Sequence, residues 1–326
     1  MSVLGDRFRD RLPVLANAPI VSLGEGSTPL LPAPRLSEEL GCELVLKWEG
    51  ANPTGSFKDR GMTVAVTRAA ADGARALVCA STGNTAASAA AYAARAGLTA
   101  VVLQPEGAVA LGKVAQALAV GARLLEVRGS FDAALAAAQA LGERGEHVLV
   151  NSLNPHRLEG QKTAAFEIAE ELGRVPDVLA LPYGGGGNTR AYALGFDEWG
   201  EGLPRVIAGE ATMRTETVAT AIRIAEPAHR VEAEAAVARS RGAIVPVTDD
   251  ELLRAWRDLA RLEGLFCEPA SAAGIAAFRR EPPPRGSLVV CVVTGHGLKD
   301  PEAARRAASA PVVVDPDPDA IAAAAR

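Results

Sequence analysis

Four short stretches of this chain gather residues capable of chemistry. The first is Asn52-Pro53-Thr54-Gly55-Ser56-Phe57-Lys58-Asp59-Arg60, where Asn-Pro and then Gly form a turn leading into a helix. Lys58 falls in the first helical turn, where the helix dipole mildly disfavours a cation. That placement suits a solvated surface lysine, and equally a lysine of lowered pKa acting as an amine nucleophile. The second stretch is Ser81-Thr82-Gly83-Asn84-Thr85, between an apolar run and a helical segment; its polar groups either cap that helix or face a ligand. The third is Tyr183-Gly184-Gly185-Gly186-Gly187-Asn188-Thr189. Its glycines allow backbone N–H groups to converge on one point, and the helix start that follows favours an anion by roughly 0.5–2 kcal/mol. This reads as a phosphate cradle, with a flexible turn as the plain alternative. No Gly-Lys-Ser/Thr follows, and Thr189 stands where a dinucleotide fingerprint has its third glycine, so neither nucleotide motif is present. The fourth is Thr294-Gly295-His296-Gly297, either a tight turn or a strand-end hydroxyl presented to a ring nitrogen.

Taken together, a lysine amine, a phosphate cradle, an amide-bearing loop and a hydroxyl for a ring nitrogen meet the demands of pyridoxal 5′-phosphate (PLP) one by one. Other chemistry finds less support. His147, His156, His229 and His296 are scattered without metal-ligand spacing, so no metal site is expected. Cys42, Cys79, Cys267 and Cys291 contain no C-x-x-C pair and read as buried free thiols of a reducing cytoplasm.

These clusters need a scaffold, and the chain reads as one. Apolar runs at 44–48, 76–80, 100–103, 124–127, 148–150, 178–181, 205–208 and 288–293 are strand candidates. Amphipathic, Ala-rich stretches lie between them, for example 85–96, 132–144, 159–172 and 249–263, the last opening with a capping sequence at Thr248. The alternation predicts an α/β fold with mostly parallel sheets covered on both faces, and ligands bound beyond the strands' carboxyl ends. At 326 residues there is length for two such domains, with a boundary near Asn151. The tail after Ala310 reads as a loosely held terminus. A hydrophobic content of 48% and a charged content of 22% describe a globular chain, and a net charge of −5 argues against nucleic-acid binding. No apolar run is long enough to span a bilayer, and the N-terminus has no signal-peptide pattern.

The motifs in order resemble the threonine synthases, enzymes of the fold-type II PLP group. The similarity runs from about Leu23 to Asp300 through LGEGSTPL (23–30), NPTGSFKDR (52–60), STGNT (81–85), NSLNPHRLEGQKT (151–163), ETVATAIRI (216–224), FCEPASAAG (266–274) and TGHGLKD (294–300). The resemblance implies two doubly wound domains, 1–48 with 151–326 and 49–150, with the active site in the cleft between them. It implies that Lys58 joins the cofactor aldehyde as a Schiff base and that Gly184, Gly185, Gly186, Gly187 and Asn188 hold its phosphate. Asn84 would donate to the phenolic oxygen, and Thr294 would meet the pyridine nitrogen. Ser81, Thr85, Asn151 and Arg157 would take the phosphate of O-phosphohomoserine, which such enzymes convert with water to threonine and phosphate. Arg157 is the decisive one, since its planar fork suits a phosphate; a surface ion pair is its alternative. A homodimer and a helix over ETVATAI are also implied.

The chain departs from this pattern twice. Its glycine turn reads Gly-Gly-Gly-Gly-Asn where many relatives have Gly-Asn-Ala-Gly-Asn, and the stretch 208–215 is shorter than its counterpart. Two other readings stand beside the leading one. One is a serine/threonine dehydratase or phosphoserine β-replacement enzyme on the same scaffold. The other is a non-catalytic module that binds a phosphorylated ligand.

Overall fold

The computed structural model describes residues 3–107, 111–307 and 311–325. Its strands are β1 (Leu30–Pro32), β2 (Glu43–Trp48), β3 (Ala76–Ala80), β4 (Thr99–Pro105), β5 (Arg123–Val127), β6 (Val148–Leu149), β7 (Val178–Tyr183), β8 (Arg205–Ala211), β9 (Ala243–Val247) and β10 (Leu288–Val293). They form two sheets, ordered β1-β2-β10-β7-β8-β9 and β5-β4-β3-β6. Every pairing is parallel except that of β1 with β2. β7 and β10 are buried along their whole length, as Val- and Leu-rich strands without alternation should be. β5 is the exception: it lies at the edge of its sheet and is largely exposed.

Separate apolar clusters cover the two faces of the larger sheet, one around Trp256 and Phe278, the other around Tyr192 and Phe196. Among the described residues no helix is long and apolar enough to cross a membrane. All four cysteines are buried and free.

Three helices position the chemistry. The lysine helix, Lys58–Ala71, follows the turn after β2. The Asn84 helix, Asn84–Ala96, follows β3. The Arg157 helix, Pro155–Leu172, starts four residues before the apolar periodicity does, because Asn154 accepts a hydrogen bond from His156 N (3.0 Å) and Pro155 takes its first position. Arg157 therefore lies in a helix start, not on a surface loop. The lysine and Arg157 helices cross where both carry glycine. A Cβ on Gly160 would stand 1.8 Å from Arg60 O, and one on Gly61 would stand 2.7 Å from Arg157 O. Only glycine permits that approach, and it places the turn of Lys58 against the turn of Arg157.

A buried ionic network locks this crossing. Arg60 forks onto both oxygens of Glu49 (2.7 and 2.8 Å) and both of Glu167 (2.7 Å each). Lys47 Nζ donates to Glu167 at 2.8 Å and to Thr28 O at 2.7 Å. Burial opposes ionisation of Glu167, yet Arg60 and Lys47 outweigh it and hold its carboxyl down to about 2.

One expectation needs correction. The ETVATAI stretch is not an α-helix: only Thr220–Ile222 makes a short 3-10 turn. Thr217 Oγ1 and Val218 N both donate to Asp249 (2.6 and 3.0 Å), which ties the segment in an open form that its β-branched residues favour. The C-terminal tail is exposed but not wholly irregular, since Asp317 caps a helix over Pro318–Ala324. The capping box at Thr248 and Glu251 forms as expected.

Glu167→Ala is expected to lower unfolding stability by roughly 3–5 kcal/mol, the cost of stripping a buried guanidinium and ammonium of their shared partner. Denaturant unfolding of the purified variant against wild type checks this.

Candidate active site

The four clusters leave the carboxyl ends of β2, β3, β7 and β10, and the 151–154 loop leaves β6 in the same way. Sheet order places β10 between β2 and β7, so the loops of Lys58, Thr294 and Gly184 are neighbours. Direct contacts join them: Phe57 N donates to Thr294 O at 3.1 Å, and Ser56 pairs with Gly295.

Lys58 is the first residue of its helix and is partly buried, with Nζ 4.4 Å from the centre of the Phe57 ring. Burial and then the Arg157 guanidinium push its ammonium down to about 7, against a smaller opposing pull from Glu268. The amine is thus substantially free at neutral pH. Its neighbour Asp59 is fully occupied in holding the turn, accepting from Thr54 N (2.7 Å), Thr54 Oγ1 (2.6 Å) and Ser88 Oγ (2.6 Å).

The glycine turn is tightly backed. Gly186 adopts the left-handed region (φ 78°), and a Cβ there would stand 2.9 Å from His229 O. A Cβ on Gly184 would touch Ile222 at 3.2 Å, so the 220–224 segment forms the wall behind the turn. Asn188 Nδ2 and Thr189 Oγ1 are buried without hydrogen-bond partners among the described residues, and both stand at the start of the Gly187–Trp199 helix. Such orphaned donors beside converging backbone N–H groups fit a phosphate. His229, which the sequence reading left among scattered histidines, ties the turn to the 151–154 loop. Its backbone N donates to Gly185 O (3.0 Å), and its Nε2 lies 2.7 Å from Ser152 O. Facing a carbonyl, Nε2 must carry the proton, which leaves Nδ1 to accept from Arg190 Nη1 at 3.2 Å.

Thr294 Oγ1 lies 3.0 Å from Ser271 Oγ, which also accepts from Gly295 N at 2.9 Å. Ser271 Oγ has one proton to give, to Thr294 Oγ1 or to Gly295 O at 3.3 Å; when it goes to Thr294, the threonine keeps its own proton for a ligand acceptor. Asn84 is buried, with Nδ2 3.0 and 3.2 Å from the two oxygens of Glu268. Sequence reasoning singled out neither Ser271 nor Glu268; both lie in the FCEPASAAG stretch, whose polar residues were the available signal.

Arg157 is completely buried. Nη1 donates to Val150 O at 3.2 Å, while Nε and Nη2 have no partner and the guanidinium joins no ion pair among the described residues. Burial lowers its pKa to about 10, and the one opposing group is the Cys79 thiol, which burial holds up at about 12 and therefore uncharged. An unpaired buried cation with two free donor sites calls for an anion. The surface ion-pair alternative is thereby excluded. Ser81 and Thr85 are partly exposed at the start of the Asn84 helix, with Ser81 Oγ accepting from Gly83 N at 3.2 Å. Asn151 arrives at the site with both ends of its carboxamide engaged, accepting from Ala80 N and donating to Ala80 O (2.9 Å each), so it braces the strand end from which Ser81 departs.

This fold and this site define a pyridoxal-phosphate-dependent enzyme. A family model described as "Pyridoxal-phosphate dependent enzyme" matches residues 21–295, and the chain belongs to that family. It is 50% identical to "Threonine synthase" of Halalkalibacterium halodurans, over 91% of this chain and 89% of the relative. It is 50% identical to "Threonine synthase" of Mycobacterium tuberculosis, over 95% and 92%. Within the family it is a PLP-dependent lyase of the threonine synthase branch. Maize serine racemase shares the fold at a TM-score of 0.77 with 20% identity, covering 93% of this chain and 96% of that one.

Two outcomes follow. On the holoenzyme, inorganic phosphate raises the melting temperature of wild type; Arg157→Met, relieved of an unpaired buried charge, melts higher without phosphate, by roughly 1 kcal/mol or more, and loses the response. Calorimetry reads both. In the apoprotein, borohydride trapping of PLP on Lys58 rises through a midpoint near pH 7, well below the ordinary lysine value of 10.5. Arg157→Met moves that midpoint upward, because removing a neighbouring cation favours the charged ammonium.

Proposed function

We propose that the enzyme converts O-phosphohomoserine and water to threonine and inorganic phosphate, and that its unpaired Arg157 is the anchor of the substrate phosphate. The observation carrying this reading is the buried guanidinium with Nε and Nη2 free. A plain hydroxy amino acid would leave that charge uncompensated; a phosphate two carbons beyond the α-carbon neutralises it.

When bound, PLP supplies an electron sink for negative charge developing along the substrate carbon chain. The chain's own residues do the rest. The Lys58 amine holds the cofactor and, once released to substrate, carries protons at Cα and Cβ. Gly184 to Gly187 and Asn188 seat the cofactor phosphate, Asn84 donates to its phenolic oxygen, and Thr294 donates to the pyridine nitrogen, with Ser271 behind it. A hydroxyl partner does not enforce a protonated ring, so the sink is a moderate one. Arg157, with Ser81 and Thr85, grips the substrate phosphate as it leaves Cγ, and Asn151 keeps that turn in place. The proton lost from Cβ is made good at Cγ, which becomes the methyl group, and water then adds at Cβ while Cα regains its proton. The helix crossing at Gly61 and Gly160 supports this division of labour, since it brings amine and guanidinium to one cleft.

The division into 1–48 with 151–326 and 49–150 agrees with membership of the two sheets, β6 ending and the 151–154 loop beginning at the boundary. A homodimer follows from the resemblance, and a cytoplasmic location is supported by four unpaired cysteines.

The test offers purified enzyme O-phosphohomoserine, phosphoserine, serine and threonine, and follows phosphate, threonine and 2-oxo acid. Phosphate and threonine should appear together from O-phosphohomoserine alone. Lys58→Ala should abolish turnover, and Arg157→Met should lower kcat/KM by about 30-fold or more, matching roughly 2 kcal/mol or more for a lost buried charge contact. Release of 2-oxo acid from threonine, with none of phosphate from O-phosphohomoserine, would instead assign a dehydratase.

A further inference from the structure

We propose that Glu268 is a positioning residue of this site: it orients the Asn84 carboxamide toward the cofactor ring and supplies the negative charge that faces Lys58. The proposal rests on the reading of the cleft as a PLP site. Glu268 is held on both sides by backbone, its N donating to Gly295 O and its O accepting from Ser271 N, each at 3.0 Å. Its carboxyl lies flat on the strand-end turn, for a Cβ on Gly295 would meet Oε1 at 2.4 Å. Gly295 is therefore required for this carboxyl as much as for the turn.

Both carboxyl oxygens face one atom of Asn84, at 3.0 and 3.2 Å. An atom bracketed by two acceptors must be the amide nitrogen, so Glu268 settles which way the Asn84 carboxamide points. One Nδ2 proton is committed to Glu268, and the other remains for a ligand oxygen. Without the carboxyl, nothing else among the described residues bonds to the Asn84 side chain.

Glu268 differs from the two buried carboxylates of the Arg60 network. Glu49 and Glu167 are paired directly with Arg60, whereas Glu268 is buried and joins no ion pair among the described residues. The charged groups facing it are Lys58 from its helix and Lys299 and Asp300 from the 297–300 turn. Lys299 Nζ points elsewhere, to Thr54 O (3.0 Å) and Gln116 Oε1 (2.7 Å). Burial raises the Glu268 carboxyl to about 7; the Asn84 bond and the charges of Lys299 and Lys58 oppose this, and Asp300 reinforces it. Glu268 in turn works to keep Lys58 protonated, against burial and Arg157. A carboxyl kept in so unfavourable a place, when no fold element needs its charge, marks a functional position.

The experiment uses full-length holoenzyme of wild type, Glu268→Gln, Glu268→Ala, Asn84→Ala and the double variant Glu268→Ala/Asn84→Ala, with thermal unfolding to establish that each is folded. The rate of cofactor loss on dialysis is one readout. If Glu268 acts through Asn84, both single variants lose cofactor faster than wild type, and the double variant loses it no faster than Asn84→Ala. The second readout is the pH titration of the bound cofactor's visible absorption. Loss of the facing carboxylate in Glu268→Gln, which keeps the shape and one of the two acceptors for Asn84, should lower the midpoint by about one pH unit. Multiplying effects in the double variant, or an unmoved midpoint in Glu268→Gln, would overturn the proposal. A wild type without a visible band would instead overturn the PLP reading itself.

Discussion

The fork of Arg60 onto Glu49 and Glu167 is the interaction on which the position of the Lys58 amine depends. Arg60 stands two residues beyond Lys58, so whatever fixes one guanidinium fixes the start of the lysine helix. Lys47 makes the network neutral, two cations against two carboxylates. Its reach is wide. Glu167 also accepts from Ser27 N (2.7 Å), Asn52 accepts from Gly26 N (3.0 Å) and donates to Glu49 (2.9 Å), and Arg60 donates to Thr28 (2.9 Å) and Thr163 (3.2 Å). The N-terminal loop, β2, the lysine helix and the Arg157 helix are thereby held to one geometry. Buried ion pairs add little net stability compared with apolar packing. What this one contributes is registry, because no other arrangement satisfies all of its donors.

Arg157 shows the opposite use of the same residue type. Both arginines are fully buried and lie on helices that cross at a glycine pair. Arg60 is saturated by carboxylates and has its pKa raised despite burial, whereas Arg157 lacks a counter-charge and has its pKa lowered. The field of an unpaired guanidinium works on Lys58 as well, pushing its ammonium toward the free amine. In the proposed function, one uncompensated charge serves anion binding and amine activation together.

The rim of the cleft is where this chain departs from its resemblance. The glycine turn presents no side chains from 184 to 187, and its walls come from other segments: Ile222 behind Gly184 and His229 behind Gly186 and Gly187. The short stretch after β8 is closed by an ion pair between Arg214 and Glu210, and Arg223 donates to Thr217 O. These contacts make an open, non-helical segment rigid enough to support a phosphate loop.

Much of this was legible in the primary structure. Val- and Leu-rich runs specify parallel strands, and eight of them lie close to where the apolar pattern puts them, though β5 is largely exposed and β6 only half-buried. The chemistry-bearing loops could be recognised because phosphate, amine and ring-nitrogen partners demand particular residue types at strand ends, which Gly184–Gly187, Lys58 and Thr294 satisfy locally. The short strands Leu30–Pro32 and Ala243–Val247 escaped notice, since each is brief and contains a proline, a residue confined to strand edges and ends. What only the tertiary structure decided is partnership. Asn151 braces Ala80 from 71 positions away and Glu268 meets Asn84 from 184, while the unpaired state of Arg157 follows from which side chains the packing leaves beside it. Residue type and local spacing report what a side chain is able to do; solvent exclusion and the identity of its neighbours, set by long-range packing, determine which of those abilities it exercises.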